Sequence, residues 1–266
     1  MGETVMKKIL ALVLAICLLA CLCAGCGDNK TSDSDFETVS EDGKVVVGIT
    51  DYAPMDYKET ADGDWTGFDA ELARAVFAKL DLEVEFIEID WDNKQLELDN
   101  GSIDCVWNGM TLTDEVLKSM SCSDPYVVNA QVVVMNKDKI TDGMTAEDIA
   151  DLSVTVEAGS AGALSADGAG FTNVTDLAAQ SNALMEVASG NADACIIDLT
   201  MANAMTGEGT SYPDLGKALE LDREEYGIGF RKGSDMVEKV NKIMDDMRAD
   251  GSMQALADKY ELVLCE

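Results

Sequence analysis

The chain has 266 residues, with 19 Lys and Arg against 51 Asp and Glu, no His, a net charge of -32 and an apolar fraction of 47%. That apolar content suits one large domain or two modest ones and excludes a disordered chain. The charge excludes nucleic acid as a partner, since phosphate binding needs a basic face, and the lack of His removes the commonest general base and zinc ligand, so no metal or cofactor is expected.

At the N-terminus Lys7 and Lys8 precede an apolar run from Ile9 to Leu22, then Cys23-Ala24-Gly25-Cys26 and a polar stretch. The run is short for a membrane span and small residues follow at once, which is the order of an export signal. Residues 1–26 therefore read as a lipoprotein signal peptide. Cys26 resembles the acceptor cysteine of a bacterial lipoprotein, with Cys21 as second choice, and the alternative is a secretory peptide cut without lipid attachment. Met6 is an alternative start. Residues 27–43 read as a flexible linker. Of the eight cysteines, Cys105, Cys122, Cys195 and Cys265 lie in the exported body. Cys105 and Cys195 sit in apolar strand-like runs and read as packing residues, and spacing alone does not support a Cys122–Cys265 disulfide.

Beyond the linker, strand-like runs fall at Val45–Thr50, Val84–Ile89, Cys105–Trp107, Gln131–Met135, Ser153–Val156 and Ala194–Ile197. Between the first two, FDAELARAVFAKL puts Phe68, Leu72, Ala75, Val76 and Leu80 on one helical stripe, with Asp69 and Glu71 in its first turn. Strand, helix, strand is a βαβ rhythm, hence a parallel sheet covered by helices. The phrases NGSIDC and SGNADAC echo each other in the two halves and predict two similar lobes rather than one sheet. Met236 to Tyr260 reads as two helices, with Met236, Val240, Ile243, Met244 and Met247 on one face. In such α/β folds a ligand sits beyond the carboxyl ends of the strands, where loops meet helix N-termini.

One stretch carries more. Ile103 to Tyr126, IDCVWNGMTLTDEVLKSMSCSDPY, resembles the pattern ID(V/A)xxxGMTIT(P/D)ERKKxVDFSDPYY of the polar amino-acid family of extracellular solute-binding proteins of ABC importers. Thr111, Thr113, Glu115, Ser123, Asp124, Pro125 and Tyr126 fall in step without a gap, and MRADGSMQALADKY near the C-terminus is again family-like. The resemblance, from about Lys44 to Tyr260, implies an α/β, two-lobed periplasmic-binding-protein-like (type II) fold with a hinge between lobes. It implies lobe 1 at 44–134 and 228–266 and lobe 2 at 135–227, with crossings near Val132–Lys137 and Gly227–Ser234.

The resemblance also implies a ligand site. Asp51 and Tyr52 stand in the loop whose aromatic covers the ligand in that family, and Trp91 stands where an aromatic or Leu lies flat against it. The run Trp107-Asn108-Gly109-Met110-Thr111 supplies a carbonyl, at Gly109, for the ligand's ammonium. The family's carboxylate-gripping arginine is replaced by Val116; charged hydrogen bonds contribute about 1.5–3 kcal/mol, so its loss weakens carboxylate binding by one to two powers of ten. Lys118 lies on another helical face and is a poor substitute. In the second half, the Ser160-Ala161-Gly162 turn offers backbone N–H groups at a helix start, with Ala161 where the family often has a hydroxyl. Asp198 matches the acidic residue that pairs with the ligand's ammonium. Glu157 falls where a glutamine-binding relative carries Lys, and a surface Glu is its plain alternative. The expected cleft has lost its arginine and gained no obvious cation, which points to a cationic solute, with a weakly bound neutral amino acid held by Thr111 and the helix N-terminus as the alternative.

The function implied is the extracellular, lipid-anchored, monomeric binding component of an ABC importer, taking an amino acid or amine by hinge closure and passing it to a permease. The alternatives are a sensory lobe without a transporter and, more remotely, a cyclohexadienyl-dehydratase-like enzyme, whose carboxylated substrate would need cations this cleft lacks.

Overall fold

Runs of β-branched residues supply the central strands of the fold. The computed structural model describes residues 34–266, and the leader and Cys26 lie outside the described residues. The strands are β1 (Lys44–Ile49), β2 (Tyr57–Lys58), β3 (Trp65–Thr66), β4 (Glu83–Glu88), β5 (Cys105–Thr111), β6 (Ser121–Cys122), β7 (Val127–Asn136), β8 (Val154–Glu157), β9 (Val174–Leu177), β10 (Ala194–Asp198) and β11 (Leu215–Phe230). The helices are α1 (Asp35–Asp42), α2 (Phe68–Ala78), α3 (Lys94–Asn100), α4 (Asp114–Ser119), α5 (Ala146–Ile149), α6 (Ala161–Gly168), α7 (Gln180–Ser189), α8 (Leu199–Met205), α9 (Met236–Ala249) and α10 (Ser252–Lys259). None of these is long and apolar enough to cross a membrane.

Nine strands form one sheet in the order β4-β1-β5-β11-β7-β10-β8-β9, with β6 paired to β11. Its outer parts have the parallel pairing that the βαβ rhythm predicts: β1 with β4 and β5, and β8 with β9 and β10. Between them β7 and β11 run antiparallel to each other and to their neighbours. The two halves echoed in the sequence share one backbone ladder, which passes without a break from one to the other through these two long strands. β11 spans 16 residues, and its register against β7 slips between Lys217 and Leu219 and again between Glu220 and Arg223.

Burial follows the sequence pattern. The largest core joins Val47, Phe68, Leu72, Phe77, Trp107, Tyr126 and Tyr226, with Met244 and Met247 of α9 closing over it. Its aromatic rings touch in a chain, Phe77 to Trp107 at 5.8 Å, Trp107 to Tyr126 at 6.4 Å and Tyr126 to Tyr226 at 6.4 Å between centroids. Each such pair adds about 0.5–1.5 kcal/mol beyond its buried area. A second core gathers Val133, Ile149, Val156, Phe171 and Ile196. A third, around Trp91, Leu98, Ile103, Val106, Met110, Val116 and Met120, lies on the other face of β5 from Trp107.

One further expectation differs from the structure. Part of the segment read as linker is helical, α1, because the Ser34 side chain caps it by accepting from the Glu37 N–H at 3.1 Å and Val39 reaches the main core. Asp235 also accepts from the Ser34 hydroxyl and the Phe36 N–H, at 2.7 and 3.0 Å, tying the helix to the start of α9. The cysteines Cys105, Cys122, Cys195 and Cys265 are all free thiols, so Cys122 and Cys265 are not joined.

Candidate ligand-binding cavity

A cavity of about 210 Å³ opens at the carboxyl ends of β1, β5, β8 and β10. The turn after β1 brings Tyr52, the turn before α3 brings Trp91 and Asp92, and the start of α3 brings Lys94. The end of β5 and the start of α4 bring Asn108 to Thr111, Thr113, Glu115 and Val116. From the other half come Glu157 at the end of β8, the start of α6 at Gly159, Ser160 and Ala161, Gln180 at the start of α7, and Asp198 at the end of β10. Gln131, from β7, also lines the cavity.

The two halves touch across it. The Tyr52 hydroxyl lies 2.5 Å from both the Thr200 hydroxyl and the Tyr226 hydroxyl. The Lys94 ammonium stands 4.8 Å over the Trp91 ring and donates to the Trp91 and Gly159 carbonyls, at 3.2 and 3.0 Å. Gly159 has φ +65°, and a Cβ there would lie 2.4 Å from Asp92 Oδ1, so glycine permits both the left-handed turn and the close approach. Gly109 has φ +54°, and a Cβ there would lie 2.6 Å from Tyr52 Cε1. Its bareness lets the Tyr52 ring rest against β5.

Acidic groups dominate the lining, with Asp92, Glu115, Glu157 and Asp198 against Lys94. Asp198 is buried and held by uncharged donors: Oδ1 accepts from the Asn129 and Gln131 amides at 2.6 Å each, Oδ2 accepts from Gln180, and its N–H donates to Gln180 Oε1 at 2.8 Å. The same Asn129 and Gln131 amides donate to Glu224 Oε1, at 2.5 and 2.8 Å. Burial, then the nearby Asp198, pushes Glu224 up to about 8, and the same two causes push Glu157 up to about 8. Burial lowers the Lys94 ammonium. Behind the cavity, Asp69 Oδ2 accepts from the Gly109 N–H at 2.6 Å and from the Tyr126 hydroxyl at 2.8 Å, and burial raises it to about 7. Asp56, accepting from the Asn108 amide at 2.8 Å, is raised by burial and by Asp69. A cavity walled by rings, with acids and neutral amides at its base, suits a small solute carrying positive charge.

The profile of the bacterial extracellular solute-binding proteins, family 3, matches residues 45–262. The chain belongs to this family. The arginine-binding extracellular protein ArtP of Bacillus subtilis is 33% identical over 265 residues, which cover 96% of this chain and 98% of ArtP. The probable amino-acid-binding protein YxeM of the same organism is 30% identical, over 96% of this chain and 95% of YxeM. Among solved structures, an ABC uptake transporter substrate-binding protein of Streptococcus pneumoniae with bound histidine superposes with a TM-score of 0.78 at 28% identity, covering 86% of this chain and 97% of that one. A mutant of ArgBP from T. maritima gives the same TM-score and identity over 85% and 98%. The two-lobed fold of these solute-binding proteins is therefore the fold of this chain.

Within this solute-binding fold, the structure gathers around one cavity all the residues singled out from the sequence except two. Trp107 points away from it into the main core, because it alternates with Val106 along β5. Asp51 is exposed and does not line it. Met110 and Val116 form an apolar patch of the wall with Trp91. Ser160 lines the cavity, but its hydroxyl oxygen caps its own helix, accepting from the Ala163 N–H at 3.2 Å. The expectation that no cation reaches the cleft is corrected by Lys94, which reads in the sequence as an ordinary surface lysine. Lys118, exposed beside Asp114, stays out of the cavity. Sequence reading missed Asn129, Gln131, Gln180, Glu224 and Tyr226. A signal existed for four of them: 129 with 131, and 224 with 226, stand two apart on their strands and so share a face.

Proposed function

We propose that the chain is the extracellular solute-capturing component of an ABC importer, binding a small amine-bearing solute in this cavity and passing it to a membrane permease. The observation that carries this reading is Asp198, a buried carboxyl in the cavity wall that is surrounded by amides and has no basic partner among the described residues. A ligand ammonium supplies what those amides do not. The printed names of the relatives, arginine-binding for ArtP and bound histidine for the pneumococcal protein, support an amino acid or a chemically related amine. The lobes are 44–134 with 228–266, and 135–227, and closure is a hinge motion on β7 and β11. Cys26 carries the lipid that holds the chain at the outer face of the membrane, and the chain acts as a monomer without catalysis.

Val116 leaves the carboxylate of an amino acid to Thr111 and the N–H groups that open α6. A thermal-shift screen of the purified protein against amino acids and amines tests the reading. A ligand at 100 times its Kd stabilises by about 2.7 kcal/mol, which raises the melting temperature of a domain of this size by roughly 5–10 °C. Shifts from amine-bearing solutes are expected. No shift from any of them, with sugars or organic acids shifting instead, would overturn the assignment.

A further inference from the structure

Of the acids in the cavity wall, Asp92 and Glu115 are exposed and Asp198 is held by amides, whereas Glu157 is buried with an unfilled acceptor. It ends β8, is 3% exposed, and its Oε1 has no hydrogen-bond partner. It enters none of the ion pairs found among the described residues. The one nearby cation, Lys94, directs its ammonium to the Trp91 and Gly159 carbonyls instead. Asp198, ending the adjacent strand, is by contrast held on both oxygens by amides. Two acids therefore reach one cavity from neighbouring strands, one braced and one with a bare acceptor. A buried carboxyl with an open acceptor is stable only when protonated or when a donor completes it, and burial raises Glu157 in keeping with the first case for the free protein.

We propose that Glu157 is a second cation-recognition residue beside Asp198, so that the cavity selects solutes carrying two separated positive nitrogens. That chemistry is shared by basic amino acids and by diamines without a carboxylate. The inference rests on reading this cavity as the solute site. Asp198 takes one nitrogen, Glu157 takes the other, and the Trp91 and Tyr52 rings flank the chain between them.

The test is calorimetric titration of the purified protein with L-lysine, putrescine, cadaverine and L-glutamine, repeated with Glu157→Gln and Glu157→Asp. At least one dicationic probe is expected to bind at least tenfold more tightly than L-glutamine. Glu157→Gln is expected to reduce that ratio at least tenfold, and Glu157→Asp, which keeps the charge, to retain part of it. Binding of L-lysine alone identifies the basic amino acid as the source of the two nitrogens, and binding of the diamines identifies the carboxylate-free source; both support the proposal. L-glutamine binding as tightly as the dications, or a ratio unmoved by Glu157→Gln, overturns it while leaving the solute site in place. If no probe binds, the solute-site reading falls and the inference falls with it.

Discussion

At the scale of single residues, Asp198 has the environment of a group kept for a partner. Three neutral amides orient it, which fixes its geometry without neutralising a ligand's charge. Asp198→Asn would place an amide among three amides, losing both the attraction for a cation and an acceptor. Charged hydrogen bonds contribute about 1.5–3 kcal/mol, so solute affinity is expected to fall by about 10–100-fold in titration calorimetry; undiminished affinity would move the solute elsewhere. Much of this wall was legible in the sequence. Tyr52, Trp91, Gly109, Thr111, Glu157 and Asp198 end strands or open turns, where α/β folds place ligands. Gln131 and Asn129 were hidden because they sit within or beside a run of valines that reads as strand interior. Lys94 was hidden because nothing local to α3 shows that its ammonium meets a carbonyl 65 residues away.

At the scale of elements, β1, β4, β8, β10 and the helix α2 were readable because each is bounded by turn residues and has one clear period, whereas the two-residue strands β2, β3 and β6 are too short to show one. β11 was not, because LGKALELDREEYGIGF mixes six acids and bases into its first eleven residues and loses its alternation at two register slips. Only its last residues, Gly227 to Phe230, have the apolar run that marks a strand. α1 was lost for a different reason: an acidic, serine-rich segment reads as linker, and its stability comes from the cap at Ser34 and the burial of Val39. The turn before α3 and the turn before α6 meet at Asp92 and Gly159. Gly159→Ala would bring a methyl to 2.4 Å from Asp92 Oδ1 on a backbone at φ +65°. Left-handed backbone costs a non-glycine residue roughly 1–2 kcal/mol, and the clash falls on the interface between halves. The variant is expected to favour the open form, seen as a larger radius of gyration in small-angle scattering with saturating solute and as weaker binding. A radius equal to that of the parent would show that this contact does not govern closure.

At the scale of the whole molecule, buried acids set the response to pH. Asp69 is raised to about 7, Glu157 and Glu224 to about 8, and Asp56 upward as well, all first by burial, while in the unfolded chain such groups titrate near about 4. The folded state thus binds protons that the unfolded state lacks, so this stability is complete below about pH 4 and is lost as pH rises through 7 to 8. Asp193, bonded by Lys139 and Ser153, and Asp148, bonded by Thr145, are lowered and act in the opposite sense, losing their contribution as pH falls through the acid range. Self-repulsion at a net charge of -32 adds to the loss at high pH. The urea midpoint is therefore expected to be higher at about pH 5 than at about pH 8.5, and the reverse order would refute the burial of protonated acids. The strands that join the halves also brace the cavity wall: Asn129 and Gln131 belong to β7, Glu224 and Tyr226 to β11, and all four bond to Asp198, Tyr52 or each other's partners. The strands that form the joint thus also hold Asp198 and Tyr52. In the proposed importer, a solute pulling on Asp198 would load the axle directly, and recognition and closure would share a single mechanical event with no relay between them.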